Sequence, residues 1–148
     1  IQLAKKEKLK RQLKPKVEIK PTVNDELDNT IEAKKSEKYK VLDVEVGQSN
    51  AKRMGVIYRK ELKHFLDTFD RSDIYFREIV NDKSTTKVKE FCIDLEKQSR
   101  VIGADSMLNF ADIVSLIFVY DKLDMLPIYP GRYHLELEKL VIEIKKLI

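Results

Sequence analysis

The sequence of 148 residues contains only four glycines, four prolines, two histidines and one cysteine. So few glycines and prolines, together with 36% charged residues, are typical of a helical protein. No run of about 18 apolar residues occurs, which excludes a membrane-spanning helix. No charged segment followed by an apolar one marks a signal peptide. We therefore expect a cytoplasmic protein without membrane insertion.

The few cysteine and histidine side chains also limit the chemistry. Cys92 cannot form a disulfide within the chain, and helical spacing places it on an inward face as a small hydrophobe. His64 and His134 lie on separate predicted helices, so they lack the spacing of metal ligands. No glycine-rich phosphate loop, Cys-His pair or Ser-His-Asp grouping occurs. The sequence predicts no catalytic residue, no metal site and no cofactor, and favours a protein that is not an enzyme.

Positive charge is concentrated in the first 40 residues, which hold 12 Lys or Arg against 7 Asp or Glu, whereas the remainder holds 17 against 18. This segment has one tyrosine, Tyr39, and no nucleic-acid-binding motif, so we expect no nucleic-acid partner. Pro15, Pro21 and the polar residues through Lys40 indicate a mostly extended linker, in which residues 1–14 could form a short helix. The predicted domains are a basic tail over 1–40 and a helical domain over 41–148.

Helical spacing and capping residues predict the elements of that domain. Asp43 caps a short helix over 44–53, and Gly55 ends it. One apolar face continues through residues 56–80, which predicts a single long helix despite the polar segment at 70–73. A central helix begins after a cap at Ser84, Thr85 or Thr86 and ends at Gly103.

A fourth long helix is predicted from residue 105 or 106 through Leu126, and a last one after a tight connection at residues 127–131. The fourth helix is apolar on more than one side, which fits either several packed neighbours or a partner surface. One stripe contains Leu108, Ala111, Ser115, Phe118, Val119 and Lys122, whereas Phe110, Ile113, Ile117 and Tyr120 lie outside it. Together these elements predict an all-α, up-and-down antiparallel four-helix bundle with a short leading helix.

The central helix divides into an apolar and a charged face. The predicted inward residues are Val88, Phe91, Cys92, Leu95, Ser99 and Ile102. The outward face carries Lys89, Glu96, Lys97 and Arg100, and Ile93 projects from its middle. A single exposed isoleucine is common on protein surfaces, so only its position gives it meaning.

The stretch FCIDLEKQSRVIGA resembles the histidine phosphotransfer (HPt) domain family, which carries a His-x-Leu-Lys-Gly motif followed by an Ile-Gly-Ala-like turn. Leu95 matches the motif leucine and residues 102–104 match the turn. Ile93 lies at the position of the phosphoacceptor histidine, Glu96 at that of the lysine and Lys97 at that of the glycine. The resemblance extends over residues 42–148.

The resemblance implies a bacterial two-component or phosphorelay protein whose partner is a response-regulator receiver domain or a histidine kinase domain. Isoleucine has no nucleophile, so we expect an interaction domain that does not carry phosphate. The partner-binding surface would comprise Lys89, Ile93, Glu96, Lys97 and Arg100. Two alternatives remain, an active phosphotransferase that uses another histidine and a purely structural helical bundle.

Overall fold

The computed structural model describes the backbone of residues 23–36 and 38–148 and the side chains of 27–34 and 38–148. This part of the chain consists of helices and short connections and has no β-strand, which confirms the predicted all-α class. Within it, no helix is both long and apolar enough to cross a membrane. The elements are α1 (Val23–Ser36), α2 (Val44–Met54), α3 (Tyr58–Phe69), α4 (Ser72–Asn81), α5 (Thr85–Ile102), α6 (Asp105–Val119), a 3-10 helix (Leu123–Ile128) and α7 (Tyr129–Lys145).

The segment 23–36 is helical, so the extended linker predicted through Lys40 is wrong there. No glycine or proline occurs between Pro21 and Gly47, and the sequence therefore contains no strong helix breaker in this segment. Ile31 is buried and gives this segment an apolar packing residue, which is hard to recognise in a segment of charged composition. The short helix proposed for residues 1–14 and the segment around Pro15 and Pro21 lie outside the described residues.

Residues Ile31–Ile148 form one compact unit, which begins before the boundary at 40/41 that we predicted. Within this unit α5 contacts α2, α3, α4 and α6, while α7 contacts α4, α6 and the 3-10 helix. Because α5 contacts four other helices, side chains on its inward face lie close to the centre of the packing.

The segment predicted as one helix over 56–80 is two helices, α3 and α4, so that prediction is wrong. Arg71 interrupts the helix with a left-handed backbone, at φ 66°. Such a conformation costs a non-glycine residue about 1–2 kcal/mol. The interruption turns Ser72 inward, where its hydroxyl and the Tyr133 hydroxyl form a buried hydrogen bond of 2.7 Å. The buried hydrogen bond between Ser72 and Tyr133 therefore offsets part of the cost of the left-handed backbone at Arg71.

An aromatic cluster joins five helices, α3 to α7, and each of them contributes at least one ring. The ring centroids of Phe76 and Phe91 are 5.3 Å apart, and those of Phe91 and Tyr133 are 5.5 Å apart in an edge-on arrangement. Phe69 of α3 contacts Phe91, and Phe110 of α6 contacts Tyr133. Such pairs contribute about 0.5–1.5 kcal/mol each beyond burial of their area. The cluster holds α5 between the α3–α4 pair and α7.

The buried face of α6 is not the stripe of six residues that its sequence spacing outlines. Of the six residues in that stripe only Ala111 is buried, and Val119 is 75% exposed. Three of the four residues placed outside it are buried, namely Phe110, Ile113 and Ile117. The helix α6 contacts α5, α7 and the 3-10 helix and is apolar on several sides, so periodicity alone does not define its core face.

The helix α6 also ends earlier than predicted, at Val119. Asp121 adopts a left-handed backbone at φ 54°, and the Lys122 amide donates to the Ile117 carbonyl at 2.8 Å, which closes the last turn. The connection at residues 127–131 is helical rather than a tight turn. Pro127 lies in the 3-10 helix and Pro130 in the first turn of α7, where a missing amide hydrogen costs little.

Candidate functional site

The helix α5 has the two faces that its sequence pattern predicts. All six residues of the predicted inward face are buried: Val88, Phe91, Cys92, Leu95, Ser99 and Ile102. Burial, together with the charge of Glu96, raises the pKa of the Cys92 thiol to about 12. A thiol with that pKa is protonated at neutral pH and is a poor nucleophile, so Cys92 acts as a core residue.

The turn after α5 fixes the end of the helix against α2 and α3. Gly103 has φ 83°, and its carbonyl accepts a 2.7 Å hydrogen bond from the Asp43 amide. The Tyr58 hydroxyl donates to the Ile102 carbonyl at 2.8 Å. A Cβ atom at Gly103 would overlap the Asp43 backbone, and one at Gly47 would overlap Tyr58 and Ile102. Two glycines are therefore required where these elements approach each other.

The five residues predicted to bind a partner lie together on the outward face of α5, which we call the α5 surface: Lys89, Ile93, Glu96, Lys97 and Arg100. Ile93 is 56% exposed. An Arg100 Nη2 to Glu96 Oε2 distance of 3.3 Å defines an ion pair along the helix. The structure thus brings these side chains onto one face, with an apolar residue among charges.

The neighbouring helix α6 adds two residues that sequence reasoning did not assign to this surface. The Lys89 Nζ lies 5.3 Å from the centroid of the Phe118 ring, close enough for a cation–π contact. The Asp112 carboxyl lies close enough to Glu96 for the charge of Glu96 to raise the pKa of Asp112. The sequence pattern does not indicate which side of α6 faces α5, so it could not assign Phe118 or Asp112 to this surface.

The carboxyl groups of Glu96 and Asp112 form an acidic pair at the edge of the α5 surface. Burial raises the pKa of Asp112 above its ordinary value of 3.8, Lys34 lowers it and Glu96 raises it again. The Lys34 Nζ to Asp112 Oδ2 distance is 3.9 Å. Two adjacent carboxylates repel each other unless a proton or a cation lies between them, so Lys34 and Arg100 compensate this pair.

Neither histidine belongs to the α5 surface. His64 is exposed on α3, and His134 is exposed on α7, where its Nδ1 lies 2.7 Å from Asp73 Oδ2. Within the described residues, no group of three or more His, Cys, Asp or Glu side chains could hold a metal ion. On the α5 surface, the Ile93 side chain is not a nucleophile and the Glu96 side chain is an acid. It is a polar helical face with one central apolar residue.

A search for known relatives found no matching family model, no matching curated protein and no matching solved structure.

Proposed function

We propose that this chain is an HPt-like interaction domain that binds a receiver or histidine kinase domain through the α5 surface without carrying phosphate. In this proposal α3 and α4 together form one arm of an up-and-down four-helix bundle, α5, α6 and α7 form the other three, and α2 is the leading helix. The setting would be a bacterial two-component pathway in the cytoplasm.

The observation that carries the proposal is the exposed Ile93 in the middle of an otherwise polar helical face. It lies two residues before the buried Leu95 and ten before the Gly103 turn, the spacing that the HPt motif has around its histidine. Apolar residues at the centre of a polar rim are the usual anchors of protein interfaces. An isoleucine here adds apolar contact area while it removes the nucleophile.

The residues next to Ile93 support the absence of phosphate transfer. Glu96 and Asp112 place two carboxyl groups beside the position that a phosphoryl group would occupy. Lys97 is exposed and adds a long side chain where the HPt motif has glycine. An incoming phosphoryl group carries negative charge, so the acidic pair would oppose its approach.

The proposal can be tested with a panel of purified receiver and histidine kinase domains, measured for binding to the 148-residue chain. We expect at least one domain to bind, and Ile93→Asp to weaken that binding about tenfold or more. Ile142→Asp is the matched control, because Ile142 is 53% exposed on α7, and its substitution should leave the affinity unchanged. Equal weakening by both substitutions would place the interface elsewhere.

A phosphotransfer assay separates the alternatives. Phosphorylated receivers should not label the chain with acid-labile phosphate. Labelling would instead support an active phosphotransferase, and loss of the label in His64→Gln or His134→Gln would identify the acceptor. Absence of binding to every receiver and kinase domain, with no labelling, would favour the purely structural bundle.

A further inference from the structure

A row of charged side chains crosses three helices at the edge of the α5 surface. Lys34 of α1 lies next to Asp112 of α6, with 3.9 Å between Nζ and Oδ2. Asp112 lies close to Glu96 of α5, and Glu96 Oε2 is 3.3 Å from Arg100 Nη2. The signs along the row are positive, negative, negative and positive, so these side chains together carry no net charge at neutral pH.

Lys34 is the basic member of this row that lies outside the α5 surface. Its side chain is half-buried beside Asp112. Ile31 lies one helical turn earlier and is buried, and both residues belong to the same compact unit as α5 and α6. Because burial of Ile31 fixes the backbone of this turn, the Lys34 ammonium group stays within reach of Asp112.

The charge of Lys34 acts on Asp112 more strongly than any other charge does. Burial raises the pKa of Asp112, and among the charges that alter this pKa the Lys34 ammonium has the largest effect and lowers it. Arg100 lowers the same pKa less, since its own ion pair is with Glu96. Without Lys34, two adjacent carboxylates would share one guanidinium group.

We propose that Lys34 belongs to the partner-binding site, as the residue that allows the acidic pair to be covered by a partner. A partner that buries Ile93 also removes water from Glu96, one turn along the same face, and from the neighbouring Asp112. Covering a charge is costly unless an opposite charge stays beside it. With Lys34 the row is neutral, and without it one carboxylate is covered uncompensated. The inference rests on the function proposed for the α5 surface and adds a residue of α1 to that site.

The test uses a receiver or histidine kinase domain that binds the 148-residue chain and is weakened by Ile93→Asp. Lys34→Gln should weaken this binding about fivefold, because one carboxylate is then covered without a counter-charge. Lys34→Arg keeps the charge and should retain the affinity. Lys146→Gln is the matched control, because the Lys146 Nζ lies 2.9 Å from Glu143 Oε2 in an ion pair at the end of α7. Its loss should leave the affinity unchanged.

A double variant and a measurement on the free chain complete the test. Lys34→Gln with Asp112→Asn removes both charges of the ion pair, so its affinity should return to within about twofold of wild type. In the free chain, NMR titration of the Asp112 carboxyl should show a higher pKa in Lys34→Gln, since the ammonium group that lowers this pKa is gone.

The outcomes separate this inference from the function on which it rests. Wild-type affinity in Lys34→Gln, a double variant as weak as Lys34→Gln, or an unchanged pKa of Asp112 would each overturn the role of Lys34 and leave the α5 surface as the interface. Failure of the wild-type chain to bind every receiver and kinase domain would instead reject the proposed function, and this inference with it.

Discussion

The helices α5 and α6 lie next to each other and are joined at Gly103, but they divide their residues between core and surface in different ways. The outward face of α5 is polar apart from Ile93, and its inward face contains every residue that it buries. In contrast, α6 buries side chains against α5, α7 and the 3-10 helix, and it exposes the apolar Val119 at its end.

This difference shows where an exposed apolar residue carries information. On α5 an isoleucine is distinct because its neighbours on the same face are charged. On α6 an exposed valine cannot be distinguished from the buried apolar residues by type. A candidate contact residue can therefore be recognised on a helix with a clear polar face, but not on one that is apolar on several sides.

The two faces of α5 should respond very differently to truncation. Leu95→Ala should lower the free energy of unfolding by about 2–5 kcal/mol, because Leu95 is fully buried and its removal leaves a cavity. Ile93→Ala should lower it by less than about 1 kcal/mol, since Ile93 is largely exposed. Chemical denaturation of both variants measures the difference. Comparable losses would mean that the outward face of α5 is packed.

The joint between α5 and α6 can be tested with two glycines that share a left-handed backbone but differ in their surroundings. Gly103→Ala should cost about 2–4 kcal/mol, because strain at positive φ adds to overlap with the Asp43 backbone. Gly55→Ala should cost only about 1 kcal/mol, since a Cβ at Gly55 meets no atom within 4 Å. Thermal unfolding of the two variants gives the steric contribution as the difference between their losses of stability. Equal losses would show that the turn at Gly103 shifts to accommodate the Cβ atom.

The acidic pair between the two helices should give a smaller, pH-dependent effect. The pKa of Asp112 is raised by burial and by Glu96, so the folded state binds its proton more tightly than the unfolded state. The associated stability is present below pH 3.8 and is lost as the pH rises through the folded pKa.

Asp112→Asn should therefore stabilise the protein at pH 7 by less than about 1 kcal/mol, a small figure because the side chain is partly exposed and its ion pair with Lys34 is lost. The gain should disappear near pH 3. Glu143→Gln provides a control at an exposed carboxylate on α7. Destabilisation of Asp112→Asn at pH 7 would indicate that the ion pair with Lys34 outweighs the repulsion.

The sequence was sufficient for the elements whose ends have strong local signals. Asp43 and Gly55 bound α2 nearly as predicted because a side-chain cap and a left-handed glycine act within one turn. The inward face of α5 is correct because charged residues mark its opposite side. Likewise, the exposure of Ile93 followed from its position one residue after the buried Cys92.

The remaining errors arise from contacts between residues far apart in sequence. The break at Arg71 is accompanied by a hydrogen bond between Ser72 and Tyr133, which periodicity along α3 and α4 cannot indicate. Burial of Ile31 depends on tertiary packing, so the charged segment around it was assigned to a linker. The contribution of Asp112 to the α5 surface depends on the register of α6 against α5.

The smallest expected effect concerns the α5 surface itself, where Ile93→His alone should produce no detectable phosphate transfer from a phosphorylated receiver. The new imidazole would lie one turn from Glu96, which is close to Asp112. The negative charge of this acidic pair would repel a phosphoryl group and hold the imidazole protonated. Adding Glu96→Lys would replace the acidic pair by an ion pair with Asp112. Adding Lys97→Gly would remove a long side chain from the path of the receiver, at a cost of about 1 kcal/mol to the helix. The triple variant should be the first to accept phosphate, with more than additive gains because the changes act on one site. Transfer to Ile93→His at the rate of the triple variant would show that only the nucleophile is missing.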